Sequence, residues 1–343
     1  MLAVAVHDCA PSLEAELAEF EALIEAAGAA VVERVVQKLA RVDPAFLVGS
    51  GKAQEVVRRL AAVDAQLLFV FNTLRPRQRR NLEKLTSVPI VDRTMLILDV
   101  FARHARSKEG KLQVELAQLR YRQSNLIGIG ADLSRLGGGI GTRGPGETKL
   151  ETDRRRIGQR IKVLSLAVEE VRRSRATRRR SHGAEPLVAL VGYTNAGKSS
   201  LLNRLARTDA LVADQPFATL DPTMRRTYLG PHHYVRLVDT VGFITDLPAD
   251  LIAAFRATLE ELDSAALLVH VVDASNPDWP RQEASVDAIL RDLQLDTKPR
   301  FAVFNKCDKL GSELPHAGER LCLSAKTGAG IDALRAELRH RLP

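Results

Sequence analysis

The sequence contains few of the residues that crosslink small secreted domains. Only three cysteines occur among 343 residues, Cys9, Cys307 and Cys322, and no two of them form a Cys-x-x-Cys pair. This spacing argues against a disulfide framework or a zinc site, and it suits a reducing compartment. The N-terminus also lacks the basic and apolar segments of a signal peptide. We therefore expect a cytoplasmic protein.

Long hydrophobic runs are missing as well. No apolar stretch approaches the roughly 20 residues that a membrane-spanning helix needs, so we expect no membrane span. A mean hydropathy of −0.10 and a hydrophobic content of 45% are those of a globular protein with buried cores. A length of 343 residues suggests two or three domains.

Acidic residues are scarce in one segment in particular. Between Arg154 and Arg180 there are eleven Arg or Lys residues and two acids, Glu169 and Glu170. This segment contributes +9, whereas the whole chain carries +8, so the remainder is close to neutral. Such a local positive charge favours a polyanionic partner. A solvated, arginine-rich linker is the alternative.

Hydrophobic periodicity predicts an α/β protein of three domains. In residues 1–106 apolar strands alternate with helices, as in βαβ units with a mostly parallel sheet. In residues 107–183 apolar residues are spaced alternately four and three apart, which is the seam of a coiled coil and predicts an antiparallel helical hairpin. A stalk that only separates two domains is the alternative. In residues 184–343 the α/β pattern returns.

Four motifs in the third domain predict a GTP site. Gly192-Tyr-Thr-Asn-Ala-Gly-Lys-Ser199 matches a phosphate loop, in which Lys198 would bridge the β- and γ-phosphates and Ser199 would ligate Mg²⁺. Asp239-Thr-Val-Gly242 would hold the metal and sense the γ-phosphate. In Asn305-Lys-Cys-Asp308 a buried carboxylate would accept from two N–H groups of guanine and discriminate against ATP. Ser324-Ala-Lys326 adds a base-side contact.

The segment Phe217-Ala-Thr-Leu-Asp221 supplies a candidate switch. We expect Thr219 to close over Mg²⁺ and the γ-phosphate when GTP is bound. Phe243 stands where small GTPases of the Ras type have a water-orienting Gln, which predicts slow intrinsic hydrolysis. Asn195 stands where some potassium-stimulated GTPases bind K⁺, so K⁺ is a candidate activator; a loop-stabilising amide is the alternative.

These motifs define the predicted site. The predicted catalytic residues are Lys198, Thr219 and Gly242, and the predicted metal ligands are Ser199, Thr219 and Asp239. The predicted GTP contacts are Gly192, Tyr193, Thr194, Asn195, Ala196, Gly197, Lys198, Ser199, Ser200, Phe217, Ala218, Thr219, Leu220, Asp221, Asp239, Thr240, Val241, Gly242, Asn305, Lys306, Cys307, Asp308, Ser324, Ala325 and Lys326.

Two further glycine-containing segments are poor phosphate loops. Gly49-Ser-Gly-Lys52 lacks the four-residue spacer and the following Ser or Thr. Residues 135–147 contain six glycines but no Lys-Ser pair, and they lie between the hairpin helices. Bare backbone there could approach RNA closely, and a flexible turn is the alternative. The predicted RNA contacts are Arg135, Gly137, Gly138, Gly139, Gly141, Arg143, Gly144, Gly146, Arg154, Arg155 and Arg156.

Three stretches closely resemble the HflX family of translation-factor-related GTPases. They are Gly110–Arg120, Leu136–Arg155 and the phosphate loop together with Phe217–Pro222, and the resemblance spans nearly the whole chain. One departure is Arg122-Gln-Ser-Asn-Leu126, where the family often has a Leu-Pro-Arg-Leu-like stretch. Some members have another domain after the GTPase domain; this sequence ends at Pro343, so we carry over none of that domain's contacts.

The resemblance implies a GTPase that binds the large (50S) ribosomal subunit and the 70S ribosome and splits stalled or idle ribosomes. It implies rRNA, GTP and GDP as ligands and Mg²⁺ as cofactor, with the glycine-rich loop near the peptidyl-transferase region. We expect no DNA partner and a monomer. Two alternatives remain: a GTP-sensing RNA-binding scaffold or biogenesis factor in which hydrolysis only resets binding, and an RNA-remodelling ATPase with a second nucleotide site.

Overall fold

The computed structural model describes residues 2–7, 13–39, 41–136, 145–180, 185–208, 216–217, 219–231, 233–245, 262–310 and 320–342. The chain divides into two compact units. Unit 1 comprises residues 1–103 and 112–168, and unit 2 comprises residues 104–111 and 169–343. The boundaries of the three predicted domains remain a prediction.

Unit 1 contains the predicted parallel sheet. Its strands are β1 (Leu2–His7), β2 (Glu33–Lys38), β3 (Leu68–Val70) and β4 (Ile90–Asp92). They lie in the order β2-β1-β3-β4, and every pair is parallel. The connections are helical, as parallel pairing requires: α1 (Leu13–Ala26), α2 (Ser50–Ala62) and α3 (Pro76–Thr86).

The segment Gly49–Lys52, which has some resemblance to a phosphate loop, lies at the start of a helix in unit 1. Gly49 directly precedes α2, so Gly49-Ser-Gly-Lys52 forms the start of a helix whose buried face comprises Ala53, Val56 and Leu60. Lys52 pairs with Glu55 at 2.9 Å along that helix. These contacts give the segment a structural role as the first turn of α2.

The helical region follows α4 (Arg93–His104). Helix α5 extends over Lys108–Leu136 and α6 over Pro145–Arg180. α5 therefore continues well past Leu126, where the sequence departs from the family pattern. Arg160 of α6 contacts Glu115 of α5 at 2.8 Å, and Leu116 and Leu164 are buried. The buried face of α5 is wider than a heptad seam, because it also includes Gln113, Val114 and Ala117.

Asp92 joins the sheet of unit 1 to three helices. Its carboxylate lies at the end of β4, is fully buried, and accepts a hydrogen bond of 2.9 Å from Met95 N in the first turn of α4. It also pairs with Arg79 of α3 at 2.7 Å and accepts from the Tyr121 hydroxyl of α5. Burial and the neighbouring Asp92 raise the pKa of Tyr121 well above its usual range, so the hydroxyl stays protonated and donates.

Unit 2 contains a six-stranded sheet with one antiparallel edge. The strands are β5 (Leu187–Gly192), β6 (Thr223–Gly230), β7 (His233–Asp239), β8 (Leu267–Asp273), β9 (Arg300–Asn305) and β10 (Leu321–Cys322). Their order is β10-β9-β8-β5-β7-β6, and only β6 is antiparallel to its neighbour. Among the described residues of this unit, the α-helices are α7 (Lys198–Ala206), α8 (Trp279–Asp292) and α9 (Ile331–Arg341).

The α/β pattern expected for residues 184–343 is confirmed, with β5, β7, β8 and β9 as parallel strands. Every residue of β5 is buried, as expected for a central parallel strand with both faces covered. The carboxyl ends of β5, β7, β8 and β9 point to one edge of the sheet, where ligands bind in open α/β folds. No helix in the described part of the chain has the length and apolarity that a membrane span requires.

The contacts of Asp92 predict that its negative charge contributes strongly to the stability of unit 1. We expect Asp92→Asn to destabilise unit 1 by about 3 kcal/mol, because it leaves the largely buried Arg79 guanidinium without its carboxylate. Hydrogen exchange of the β3 and β4 amides measures this opening free energy. Glu33→Gln, which breaks an exposed pair with Arg59, is the control and should leave exchange unchanged. Equal exchange in both variants would contradict the expectation.

Candidate functional site

The phosphate loop lies between β5 and α7. Two residues here have positive φ angles, Asn195 at 58° and Gly197 at 90°. A Cβ on Gly197 would lie 2.3 Å from Nδ2 of Asn305, so this position has no space for a side chain. Asn tolerates the left-handed region better than most residues do. Helix α7 begins directly after Gly197 with its free N–H groups toward the loop, which is the arrangement that binds phosphate.

Lys198 is buried in the first turn of α7. Its ammonium group donates to the carbonyl oxygens of Tyr193 at 2.8 Å and Gly192 at 3.0 Å. Burial lowers the pKa of Lys198 to about 8, although the carboxylate of Asp239 acts in the opposite direction. The backbone carbonyls thus position a cation at the loop that is predicted to hold the phosphates.

The three predicted metal ligands converge. The hydroxyl of Ser199 donates to Oδ2 of Asp239 at 2.6 Å and lies 2.7 Å from the hydroxyl of Thr219. Oδ1 of Asp239 is buried and has no hydrogen-bond partner among the described residues. Burial raises the pKa of Asp239, with Lys198 and Ser199 opposing it. Two hydroxyls and a carboxylate with an unused buried oxygen suit a hard cation such as Mg²⁺.

The segment after Asp239 is attached to the phosphate loop through its backbone. Phe243 N donates to Gly192 O at 3.1 Å, and Thr194 N donates to Phe243 O at 2.6 Å. A Cβ on Gly242 would lie 2.7 Å from Cα of Thr194, which explains the glycine. The Phe243 side chain is buried. A phenyl ring has no polar group that could orient a water, and slow intrinsic hydrolysis stays a prediction.

The base-side motifs are held together by side chains. The Asn305 amide donates to Ala196 O at 2.8 Å and accepts from Ala325 N at 3.0 Å, so it bridges the phosphate loop to the Ser-Ala-Lys segment. The Ser324 hydroxyl donates to Asp308 at 2.6 Å, and this bond lowers the pKa of Asp308. Asp308 itself is exposed. Asp308 thus lies at the open rim of the pocket, and its burial against a guanine base stays a prediction.

These elements enclose a cavity of about 380 Å³. Fifteen of the predicted GTP contacts line it, namely Thr194, Asn195, Gly197, Lys198, Ser199, Ser200, Phe217, Thr219, Thr240, Gly242, Asn305, Lys306, Asp308, Ala325 and Lys326. Four other predicted contacts form hydrogen bonds with lining residues. Gly192 and Tyr193 accept from Lys198, Asp239 accepts from Ser199, and Ser324 donates to Asp308. Ala218 lies outside the described residues.

The remaining predicted contacts do not line the cavity. Leu220, Ala196 and Val241 are buried, and Cys307 packs in an apolar cluster with Trp279 and Phe304. The Asp221 carboxylate accepts hydrogen bonds from the backbone N–H groups of Arg106 at 2.8 Å and Ser107 at 2.6 Å. Direct contacts of these residues with GTP remain predictions.

The sequence motifs missed three supporting residues. Lys309 lines the cavity. Asp273, at the end of β8, pairs with Lys306 at 2.8 Å, and Arg204 of α7 donates to Ala325 O at 3.1 Å. The sequence did contain a signal for Asp273, because it is a carboxylate at the end of a buried strand. That strand, β8, lies beside β5, which leads into the phosphate loop. Arg204 belongs to no motif, so its supporting role is visible only in the tertiary structure.

None of the described residues that were predicted to contact RNA lines this cavity. Arg154, Arg155 and Arg156 are exposed on α6. Arg135 and Gly146 lie in α5 and α6. The other predicted RNA contacts, Gly137, Gly138, Gly139, Gly141, Arg143 and Gly144, lie outside the described residues.

Comparison with known proteins identifies the family. Three family models match consecutive parts of the chain: "GTP-binding GTPase N-terminal" over residues 14–102, "GTP-binding GTPase Middle Region" over 104–182 and "50S ribosome-binding GTPase" over 187–306. GTPase HflX of Caldanaerobacter subterraneus subsp. tengcongensis is 48% identical over 97% of this chain and 78% of its own length. The chain belongs to the HflX family of GTPases.

Further relatives agree with this assignment. GTPase HflX of Escherichia coli K12 is 44% identical over 95% of this chain and 79% of its own length. Among solved structures, SsGBP in complex with GDP is similar with a TM-score of 0.52 and 24% identity, covering 99% of this chain and 98% of that one. That structural likeness supports the fold. As an HflX-family member with a phosphate loop, the protein binds GTP and hydrolyses it to GDP and phosphate.

The Ser324–Asp308 bond predicts the pH dependence of guanine binding. Because the bond lowers the pKa of Asp308, the carboxylate that accepts from guanine persists to lower pH and is lost as pH falls through that pKa. We expect Ser324→Ala to raise the pKa, so that affinity for fluorescently labelled GDP falls at a higher pH than in the wild type. Ser285→Ala, which removes an exposed hydroxyl of α8, should not shift the curve. Superimposable curves for Ser324→Ala and wild type would refute the role.

Proposed function

We propose that this HflX-family GTPase binds the large ribosomal subunit and the 70S ribosome and uses GTP to split stalled or idle ribosomes in the cytoplasm. The observation that carries the proposal is the match of residues 187–306 to the family model described as a 50S ribosome-binding GTPase. That range includes the phosphate loop, Thr219 and Asn305. A nucleotide switch of this kind can make ribosome binding depend on GTP.

The charge distribution supports an RNA partner. The phosphates of rRNA are neutralised by Arg and Lys with release of counterions. Arg154, Arg155 and Arg156 are exposed on α6, within the segment that contributes +9. Contacts of this kind need no sequence-reading motif, because A-form RNA is recognised largely by shape and backbone. We assign the glycine-rich residues 137–146, with Arg135 and Arg143, as a further contact with rRNA.

The geometry of the cavity supports the hydrolytic cycle that the proposal needs. Ser199, Thr219 and Asp239 would hold Mg²⁺, which would neutralise charge on the phosphates. Lys198 would exchange its carbonyl partners for the β- and γ-phosphates, and the Gly242 N–H would contact the γ-phosphate. Loss of that phosphate would release Thr219 and residues 239–243 and so end ribosome binding.

Two residues of the site, Phe243 and Asn195, suggest that GTP hydrolysis depends on the ribosome and on K⁺. The buried Phe243 supplies no group to orient the attacking water, so we expect slow hydrolysis alone and stimulation by the ribosome. Asn195 is exposed on the phosphate loop and lines the cavity. We propose that it helps to bind an activating K⁺; replacing K⁺ with Na⁺ should then slow turnover.

Turnover and light scattering test the proposal together. Purified 50S subunits should raise multiple-turnover GTP hydrolysis about tenfold or more, since a group supplied in trans can give on the order of 10³-fold. With a non-hydrolysable GTP analogue, light scattering of 70S ribosomes should fall as subunits separate. Lys198→Ala should abolish both effects, whereas Lys84→Ala, an exposed lysine of α3, should keep them.

The outcomes separate the alternatives. If 50S stimulates hydrolysis but the 70S population is unchanged, splitting is refuted and a scaffold or biogenesis role replaces it. If 50S gives no stimulation, ribosome activation itself is refuted.

The arginine face of α6 gives a second test. Replacing Arg154, Arg155 and Arg156 with Gln should weaken 50S binding. It should also reduce the slope of log affinity against log salt by about two to three, at roughly 0.7–0.9 for each of three lost phosphate contacts. The matched control replaces the exposed Arg41, Arg58 and Arg77 of unit 1 with Gln, which makes the same change in net charge. If both triple variants bind alike, the α6 arginines are not the RNA contact.

A further inference from the structure

The predicted switch segment carries a structural contact outside the nucleotide cavity. The Asp221 carboxylate accepts from the backbone N–H groups of Arg106 at 2.8 Å and Ser107 at 2.6 Å, and from the Ser107 hydroxyl. The Ser107 hydroxyl in turn accepts from Gly110 N at 2.8 Å. Helix α5 begins at Lys108, so Ser107 caps its N-terminus and Asp221 completes the cap from another part of unit 2.

The fit between Asp221 and α5 is tight. A Cβ on Gly110 would lie 2.4 Å from Oδ1 of Asp221, so the carboxylate occupies the space that any other residue would fill. A negative charge beside the first turn also meets the positive end of the helix dipole. These contacts favour a single position for Asp221 whenever the first turn of α5 is formed.

Asp221 is linked to the predicted metal ligand Thr219 by one buried residue. The Thr219 hydroxyl lies 2.7 Å from that of Ser199, and Leu220 is 3% exposed. On the other side, buried Phe217 donates its backbone N–H to the Thr194 hydroxyl at 2.9 Å. Thr219 thus stands in the chain between Phe217, which is bonded to the phosphate loop, and Asp221, which is bonded to the start of α5.

We propose that Asp221 couples the nucleotide state of the cavity to the first turn of α5, and so positions Thr219 for GTP. The proposal rests on the proposed switch role of Thr219 and names the element that the switch controls. When Thr219 closes over the metal and the γ-phosphate, Asp221 is held on Arg106 and Ser107 and the cap forms. When Thr219 is released, the cap loosens at the start of the helix that continues to Leu136.

Thermodynamic linkage makes the coupling reciprocal. If GTP strengthens the α5 cap more than GDP does, an intact cap must favour GTP over GDP by the same factor. Removing the cap therefore lowers the preference for GTP, although Asp221 does not line the cavity. A carboxylate that merely stabilises α5 would affect both nucleotide states equally.

The experiment compares GDP with a non-hydrolysable GTP analogue in the full chain. In the wild type, amide hydrogen exchange at residues 107–111 should be slower with the GTP analogue than with GDP. Asp221→Asn should remove this difference and lower the ratio of GTP-analogue to GDP affinity about tenfold, a typical coupling factor. Thr219→Ala should also remove the exchange difference, because it severs the link at the cavity.

Asp43→Asn is the matched control. The Asp43 carboxylate likewise accepts two backbone N–H groups, from Ala45 and Phe46 at 2.7 Å each, but it lies in unit 1. This variant should keep the wild-type affinity ratio and exchange difference. If Asp221→Asn speeds exchange equally in both nucleotide states and leaves the affinity ratio unchanged, the cap is structural only and the proposal is overturned.

Equal exchange with both nucleotides in the wild type would overturn the proposal as well. No ribosome enters these measurements. If the splitting assay fails, the exchange and affinity measurements still test the coupling. If the coupling fails, the proposal of ribosome splitting is not affected.

Discussion

The side-chain amide of Asn305 is the constraint on which the nucleotide cavity depends. It donates to Ala196 O in the phosphate loop and accepts from Ala325 N in the Ser-Ala-Lys segment, so one planar group sets the distance between the phosphate and base ends. Gly197 must be a glycine because a side chain there would collide with this amide. Next to Ala325, the Ser324 hydroxyl donates to the Asp308 carboxylate at the rim of the cavity.

Charged groups determine the properties of the phosphate end of the cavity. Lys198 and Asp239 are both buried, and each opposes the effect of burial on the pKa of the other. The unused Oδ1 of Asp239 and the hydroxyls of Ser199 and Thr219 leave this end suited to a cation. A phosphate chain with its metal would satisfy both Lys198 and Asp239, so charge complementarity here suits a nucleoside triphosphate better than an uncharged ligand.

The sequence predicted the parts of the site that follow strict local rules. The phosphate loop follows β5, whereas Asp239 and Asn305 end β7 and β9. Parallel strands bring these carboxyl ends together. The α/β class and two long helices were equally predictable from periodicity. The strand β6 was not, because Thr223–Gly230 has the weak alternation of an edge strand with two adjacent arginines. The wide buried face of α5 likewise exceeded the heptad pattern, since α5 also packs in the interior of unit 1.

Other features depend on residues that are distant in sequence. Asp308 belongs to a recognisable motif, but its exposure depends on how β9 and β10 end. Asp221 lies in a segment that suggests nucleotide contact, yet its carboxylate caps α5, more than a hundred residues earlier. Arg204 and Asp273 support the cavity without any motif. Pairings of this kind are invisible in one sequence because no spacing rule relates their members.

By itself, the sequence determined the chemistry of this protein: a guanine nucleotide site, a predicted cationic RNA face and the order of its strands and helices. Motif residues must stand at set spacings to contact one ligand, so their spacing is already visible in the chain. Only the tertiary structure decided which carboxylate holds which helix, where Asp308 is exposed and that the switch segment is attached to α5. Those outcomes depend on packing between distant segments, which local patterns do not specify.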